Sequence, residues 1–157
     1  MNRNVFCGML ALILIVSSLL CACSDPKKEE PVYDSVEALS AKLGYTVIYP
    51  RTLPSGCHAE SYSLLDGNIA QITCSYEEGG HLYYRLAQGA DLKLAAGFGS
   101  TAWTDTITAG AITIYVSGAA KNEVSAAQWT VADFSYAVLS DQPLSLYYLL
   151  EIIASIS

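Results

Sequence analysis

The chain falls into stretches of sharply different apolar and polar patterning. Val5 to Leu20 is nearly all apolar, with only Ser17 and Ser18 polar, and it follows a single positive side chain, Arg3. Ser24 to Pro31 is the reverse: charged, punctuated by Pro26 and Pro31, and free of large apolar side chains. From Asp34 onward the pattern becomes periodic. Val36, Leu39 and Leu43 fall on one helical stripe, and Gly44 stands where a left-handed residue ends a helix. Asp34 and Glu37 have the spacing of a capping box for that helix. Tyr45 to Tyr49 is β-branched and aromatic and predicts a short strand stopped by Pro50.

Pro50 to Gly56 reads as a rigid connection, and a hairpin follows it. Cys57 to Leu64 and Ile69 to Tyr76 flank Asp66-Gly67, a strong two-residue turn signal. With those two residues at the tip, Cys57, Ala59, Ser61 and Ser63 share a face with Tyr76, Cys74, Ile72 and Ala70. That small, apolar face is expected to be covered by helices, and the opposite face is polar. A third strand runs from His81 to Ala87, with Leu82, Tyr84 and Leu86 directed at the core. Gln88 to Thr101 has no firm period. Strands at Trp103–Ala109, Ile112–Ser117, Ala126–Val131 and Phe134–Ser140 are joined in part by the short turns Gly110-Ala111 and Ala132-Asp133. After Pro143, residues Leu146, Leu149, Leu150 and Ile153 follow the i, i+3, i+4, i+7 rule of an amphipathic helix. The expected fold class is α+β: a curved antiparallel sheet of about six or seven strands, with N-terminal and C-terminal helices packed on one face.

Composition narrows the functional classes. The 157 residues are 52% hydrophobic and 15% charged, which suits one domain with a buried core. Eight basic against 15 acidic side chains give a net charge of −7. An acidic chain with no basic run is a poor binder of nucleic acid, so no nucleic-acid partner is expected.

The N-terminal block has the charged and apolar regions of a secretory signal. It is shorter than the roughly 20 residues that cross a bilayer. It ends Leu20-Cys21-Ala22-Cys23-Ser24, which resembles the lipobox of bacterial lipoproteins. Cys23 fits as the lipidated residue because the small Ala22 precedes it, whereas bulky Leu20 precedes Cys21. The resemblance implies cleavage after Ala22 and a diacylglyceryl thioether on Cys23. Residues 1–22 are then a lipoprotein signal peptide, 23–32 a lipidated cysteine and flexible tether, and 33–157 a single domain. Loss of Arg3 leaves 7 basic and 15 acidic side chains, net −8. Such a domain is repelled by anionic lipid and stands off the surface. The expected location is the extracytoplasmic face of the cell membrane.

Gly44-Tyr-Thr-Val-Ile-Tyr-Pro50, Leu53-Pro-Ser-Gly56, Tyr62 to Ile72, Tyr84-Arg-Leu-Ala87, Trp129, Phe134-Ser-Tyr136 and the closing Ile153-Ala-Ser-Ile156 carry a wider resemblance. Over about residues 33–156 the chain resembles domain-of-unknown-function family 4367, found in lipoproteins of Gram-positive-type bacteria and in membrane proteins with anti-sigma-like N-termini. Cys57 departs from the aromatic residue more common there after the Leu-Pro-x-Gly turn. The family implies no catalytic residues, so none are carried over.

Candidate chemistry is sparse. Cys57 and His58 are adjacent, and neighbouring strand residues point to opposite faces, which disfavours a Cys–His dyad. His81 with Glu77 and Glu78 near a turn is the pattern of solvated side chains more than of a metal site, and no metal or cofactor is expected. Gly97-Phe-Gly99 lacks the third glycine and preceding strand of a nucleotide loop. The 11 Tyr and 2 Trp include two adjacent pairs, Tyr83-Tyr84 and Tyr147-Tyr148, each able to place one ring in the core and one outside. Cys57 and Cys74 are diagonal neighbours in the hairpin register, with side chains about 7 Å apart. A disulfide wants β-carbons at about 3.8 Å, so a bulge or slip would have to close the gap. Otherwise the pair are buried thiols acting as small hydrophobes.

Two functions fit. One is a non-catalytic, lipid-anchored interaction or sensory module with an envelope protein partner. The other is a binder of a small ligand or cell-wall glycan, working through the concave sheet face or the loop from Gln88 to Thr101.

Overall fold

The computed structural model describes residues 30–89 and 93–156. Its eight strands are β1 (Val32–Tyr33), β2 (Cys57–Leu65), β3 (Ile69–Tyr76), β4 (His81–Gln88), β5 (Trp103–Ala109), β6 (Ile112–Ala120), β7 (Glu123–Val131) and β8 (Phe134–Leu144). They form one antiparallel sheet in the order β1-β2-β3-β4-β8-β7-β6-β5. Helix α1 spans Val36–Leu43 and α2 spans Leu146–Ala154. The fold is thus α+β, with more strands than the six or seven expected. The extra edge strand β1 pairs Val32 with Ser63 and Tyr33 with Tyr62. At two residues it is too short to leave an alternation in the sequence, and its first residue lies in the segment assigned to the tether. The strand expected at Tyr45–Tyr49 does not form. That segment is instead held by side chains: Val47 is buried, and its N–H donates to Ser40 Oγ at 2.9 Å.

Helix α1 begins one residue later than its capping-box pattern suggests. Ser35, in extended conformation, accepts the Ala38 N–H on its hydroxyl, so Ser35 and not Asp34 is the N-cap. Gly44 closes the helix at φ 77°, its N–H donating to Ser40 O, as its position predicts.

The β2–β3 hairpin corrects the expected face assignment. Asp66 and Gly67 do form the tip, both at positive φ, and the Asn68 N–H returns to Leu65 O at 3.2 Å. The ladder then pairs Leu65 with Ile69, leaving Asn68 as an extra residue. This one-residue shift turns Tyr62 and Leu64 to the face of Ile72 and Ala70, and puts Ser61 and Ser63 opposite Thr73 and Gln71. A bulge between Ala59 and Ser61 reverses the shift. Cys57 therefore still opposes Tyr76, and Ala59 opposes Cys74.

One core cluster joins Leu39 of α1 and Leu149, Ile152 and Ile153 of α2 to Ile72, Tyr84, Ile114, Trp129 and Val138 of the sheet. Trp129 and Tyr136, cross-strand partners, stack with ring centroids 5.5 Å apart. In α2, Leu149 is fully buried while Leu150 is only half-buried, so Leu149, Ile152 and Ile153 form the inner stripe.

The sheet consists of two meanders, β2-β3-β4 and β5-β6-β7-β8, joined where β4 pairs with β8. Between β4 and β5 in sequence lie three strands in space. The connection from Gln88 to Trp103 must cross β8, β7 and β6 to reach the far edge, a lateral distance of about 19 Å. A second, smaller cluster marks its path over the sheet. Leu94, Ala95 and Phe98 pack on Ala87, Ala126, Ala137 and Leu139. The face expected to be simply polar is therefore partly roofed by the irregular segment.

Candidate functional site

The roof is tied down by side chains from the strands beneath it. Cross-strand pairing places Gln71, Arg85, Ala137, Gln128, Tyr115 and Thr106 in one row across the sheet. Arg85 Nε donates to Gln71 Oε1 at 2.8 Å, and its Nη1 donates to the backbone oxygen of Leu94 at 2.9 Å. Burial lowers the Arg85 pKa, yet a guanidinium remains charged at any ordinary pH. Its hydrogen bonds are therefore charge-assisted, the stronger kind. Farther along, Gln128 Oε1 accepts the Ala95 N–H at 3.0 Å. Ser135, fully buried, donates to Gly89 O at 2.8 Å. Phe98 meets the Tyr83 ring edge to face at 5.8 Å. Gly99, at φ 65°, lies against Ser125, whose Cβ would be 2.7 Å from any added β-carbon.

Between this roof and the β5 edge lies a groove of about 620 Å³. Lys93, Ala95 and Ala96 form one wall, Thr104, Asp105 and Thr106 of β5 the other, and Tyr115, Ser117, Ala126 and Gln128 line the floor. Tyr115 is 62% exposed, so its ring is available to a ligand. Asp105 is engaged locally, its Oδ1 accepting the Thr106 N–H at 2.8 Å. The lining offers hydroxyls, an amide, one aromatic face and a single lysine. Among the described residues its lining holds no histidine or cysteine, and the groups present suit hydrogen bonding and ring stacking.

The other sequence candidates are dispersed. Residues 1–29, including the lipobox and Cys23, lie outside the described residues. His58 is exposed, whereas Cys57 is half-buried and packs against the core. His81 faces Glu60 and Asp141, at 3.6 and 3.5 Å, and not Glu77 or Glu78. Glu60 also accepts from the Ser75 hydroxyl. Among the described residues no group of three or more His, Cys, Asp or Glu is placed to hold a metal ion. Tyr84 is buried and Tyr83 lies half-exposed under the roof, as an adjacent strand pair should. Tyr147 and Tyr148 are both exposed, against expectation, because both precede the inward stripe of α2 on its solvent side. Cys57 and Cys74 lie on neighbouring strands one pair apart in the ladder, on the same side of the sheet, and both are free thiols. Burial raises both thiol pKa values, that of Cys74 to about 12.

Alternation puts Gln71, Arg85 and Gln128 on the polar face but does not reveal that they hold down a roof. Their only signal is a long polar side chain at the middle of a strand whose neighbours are apolar.

Comparison with protein-family models, curated proteins and solved structures finds no match to this chain. No helix among the described residues is long and apolar enough to cross a membrane.

Proposed function

We propose that this chain is a non-catalytic, lipid-anchored interaction module on the extracytoplasmic face of a bacterial cell membrane. With its two helices on one face of the sheet, it works through the groove on the other. The observation that supports this reading is the position of the groove. The described chain enters the sheet at β1, one edge, and the groove lies beside β5, the opposite edge. Seven strand spacings separate the edges, about 34 Å. A tether through Cys23 therefore leaves the groove as the part of the sheet farthest from the point of attachment. The net charge of −8 after loss of residues 1–22 keeps the domain off anionic lipid.

A second reading, glycan binding, is favoured by one feature. The exposed Tyr115 ring is flanked by Thr104, Thr106, Ser117 and Gln128, a flat face ringed by hydrogen-bonding groups. Affinity capture from membranes, in parallel with sedimentation against purified wall fragments, separates the two. An envelope protein captured by the native chain and lost with Tyr115→Ala supports the first reading. Saturable wall binding lost with the same variant supports the second. Capture and binding that both ignore Tyr115→Ala refute a role for the groove. For the anchor, Cys23→Ala should leave the protein unprocessed or released from the membrane fraction. A Cys23→Ala chain still acylated and fully membrane-bound would refute the lipobox assignment.

A further inference from the structure

We propose that Cys57 and Cys74 close a disulfide that staples the start of β2 to the end of β3. The inference rests on the extracytoplasmic reading above, since disulfides persist in oxidising compartments. It also has its own structural support. The two residues lie on adjacent strands and on the same core-facing side, one pair apart in the ladder: Cys57 opposes Tyr76 and Cys74 opposes Ala59. Diagonal positions in a flat ladder are somewhat too far apart for a bridge. Here the bulge between Ala59 and Ser61 adds local twist next to the pair. Both thiols are free in the structure and belong to one apolar region, Cys74 within the core cluster and Cys57 packed against it.

The two sites are unequal in access. Cys74 is fully buried, but Cys57 is half-buried at the first residue of β2, beyond the part of the strand that β1 covers. Cys57 is therefore the entry point for the oxidant, a protein disulfide acting by thiol–disulfide exchange. Its thiolate attacks one sulfur of that disulfide, forming a mixed disulfide and releasing one thiolate. The Cys74 thiolate then attacks the Cys57 sulfur and releases the second. Two cysteine thiols are oxidised, two protons leave them, and one oxidant disulfide is reduced to two thiols. Burial disfavours both thiolates in the folded chain, so exchange runs fastest while this end of the hairpin is still open.

The sequence supplies a direct assay. Trypsin cuts after Arg51 and next after Arg85, so both cysteines fall in one peptide, 52–85, separate from Cys7, Cys21 and Cys23. The full chain is denatured without reductant in iodoacetamide, digested and weighed. One sample comes directly from membranes, and a second from purified full chain refolded in a glutathione redox buffer. The bridge gives an unalkylated peptide about 2 Da lighter than the dithiol in both samples. A doubly alkylated peptide in both overturns the proposal. Alkylation in the membrane sample alone upholds the pairing and refutes the extracytoplasmic location. Dithiothreitol should also lower the thermal midpoint of the oxidised full chain by about 10 °C, through reopening a loop of about 17 residues, and leave Cys57→Ser unmoved. Equal responses of the two chains would overturn the bridge as a native constraint.

Discussion

Two Tyr→Phe substitutions in the same sheet should change stability in opposite directions. Tyr84 sits in the middle of β4, between Ile72 of β3 and Val138 of β8, and is 1% exposed. Its hydroxyl is buried without a hydrogen-bond partner among the described residues. Burial raises its pKa far above the ordinary phenol value, so the group stays neutral. In the unfolded chain that hydroxyl is hydrated, and folding strips the water without replacement, at a cost of about 1–3 kcal/mol. Tyr84→Phe removes the cost and leaves the ring in place. The lost contacts of one oxygen offset part of the gain, so a net stabilisation of about 1 kcal/mol is expected. Tyr76 is the control. Its hydroxyl lies 3.0 Å from Ser140 Oγ, which in turn donates to Gln142 O at 2.6 Å. Tyr76→Phe breaks this chain and should cost about 1 kcal/mol. Urea unfolding decides the matter. With a slope of about 1–2 kcal/mol per molar, the midpoints should move by roughly 0.5–1 M in opposite directions at unchanged slope. Destabilisation of Tyr84→Phe by 1 kcal/mol or so would refute the reasoning, because it would mean that an ordered water or another group satisfies the hydroxyl.

Other substitutions probe the roof, the core and the cap. Arg85→Met removes the hydrogen bond to Leu94 O, and trypsin should then cut after Lys93 at least several-fold faster than in the native chain; an unchanged rate of cleavage there would show that the roof does not depend on Arg85. Leu149→Ala, at a fully buried site, should cost about 2–5 kcal/mol, and Leu150→Ala, half-buried, distinctly less; equal losses in denaturant melts would contradict the observed stripe. Ser35→Ala should cost about 1 kcal/mol and Asp34→Ala little, reversing the order a capping box at Asp34 would produce. Tyr76 is pushed up to about 12 and Tyr84 and Tyr49 are also raised, mainly by burial. The unfolded chain therefore loses these protons first, and stability should be intact below pH 10 and fall as pH rises above it, which a pH series of thermal midpoints would show.

What could be read directly from the sequence is what depends on near neighbours. Asp66-Gly67 and Gly110-Ala111 make turns where predicted, because the backbone conformations they need are set by the residues themselves. Gly44 ends α1, and the 3.6-residue stripe of α2 is visible because each residue's face is set by its own helix. Bulk composition likewise shows an acidic, core-forming chain, independently of its path in space. The pairing of β4 with β8 is different. It joins residues near 85 to residues near 137, and no local pattern distinguishes it from a pairing of β4 with β5. That one long-range contact sends the Gln88–Trp103 connection across the sheet, recruits Arg85 and Gln128 as ties for its roof, and opens the groove beside Tyr115. The bulge before Ser61 is also a tertiary outcome: it restores the register lost at Asn68 and brings Cys57 and Cys74 together. Local propensity sets which segments become strands, whereas competition among partners for burial and backbone hydrogen bonds sets their order, and the candidate site depends on that order.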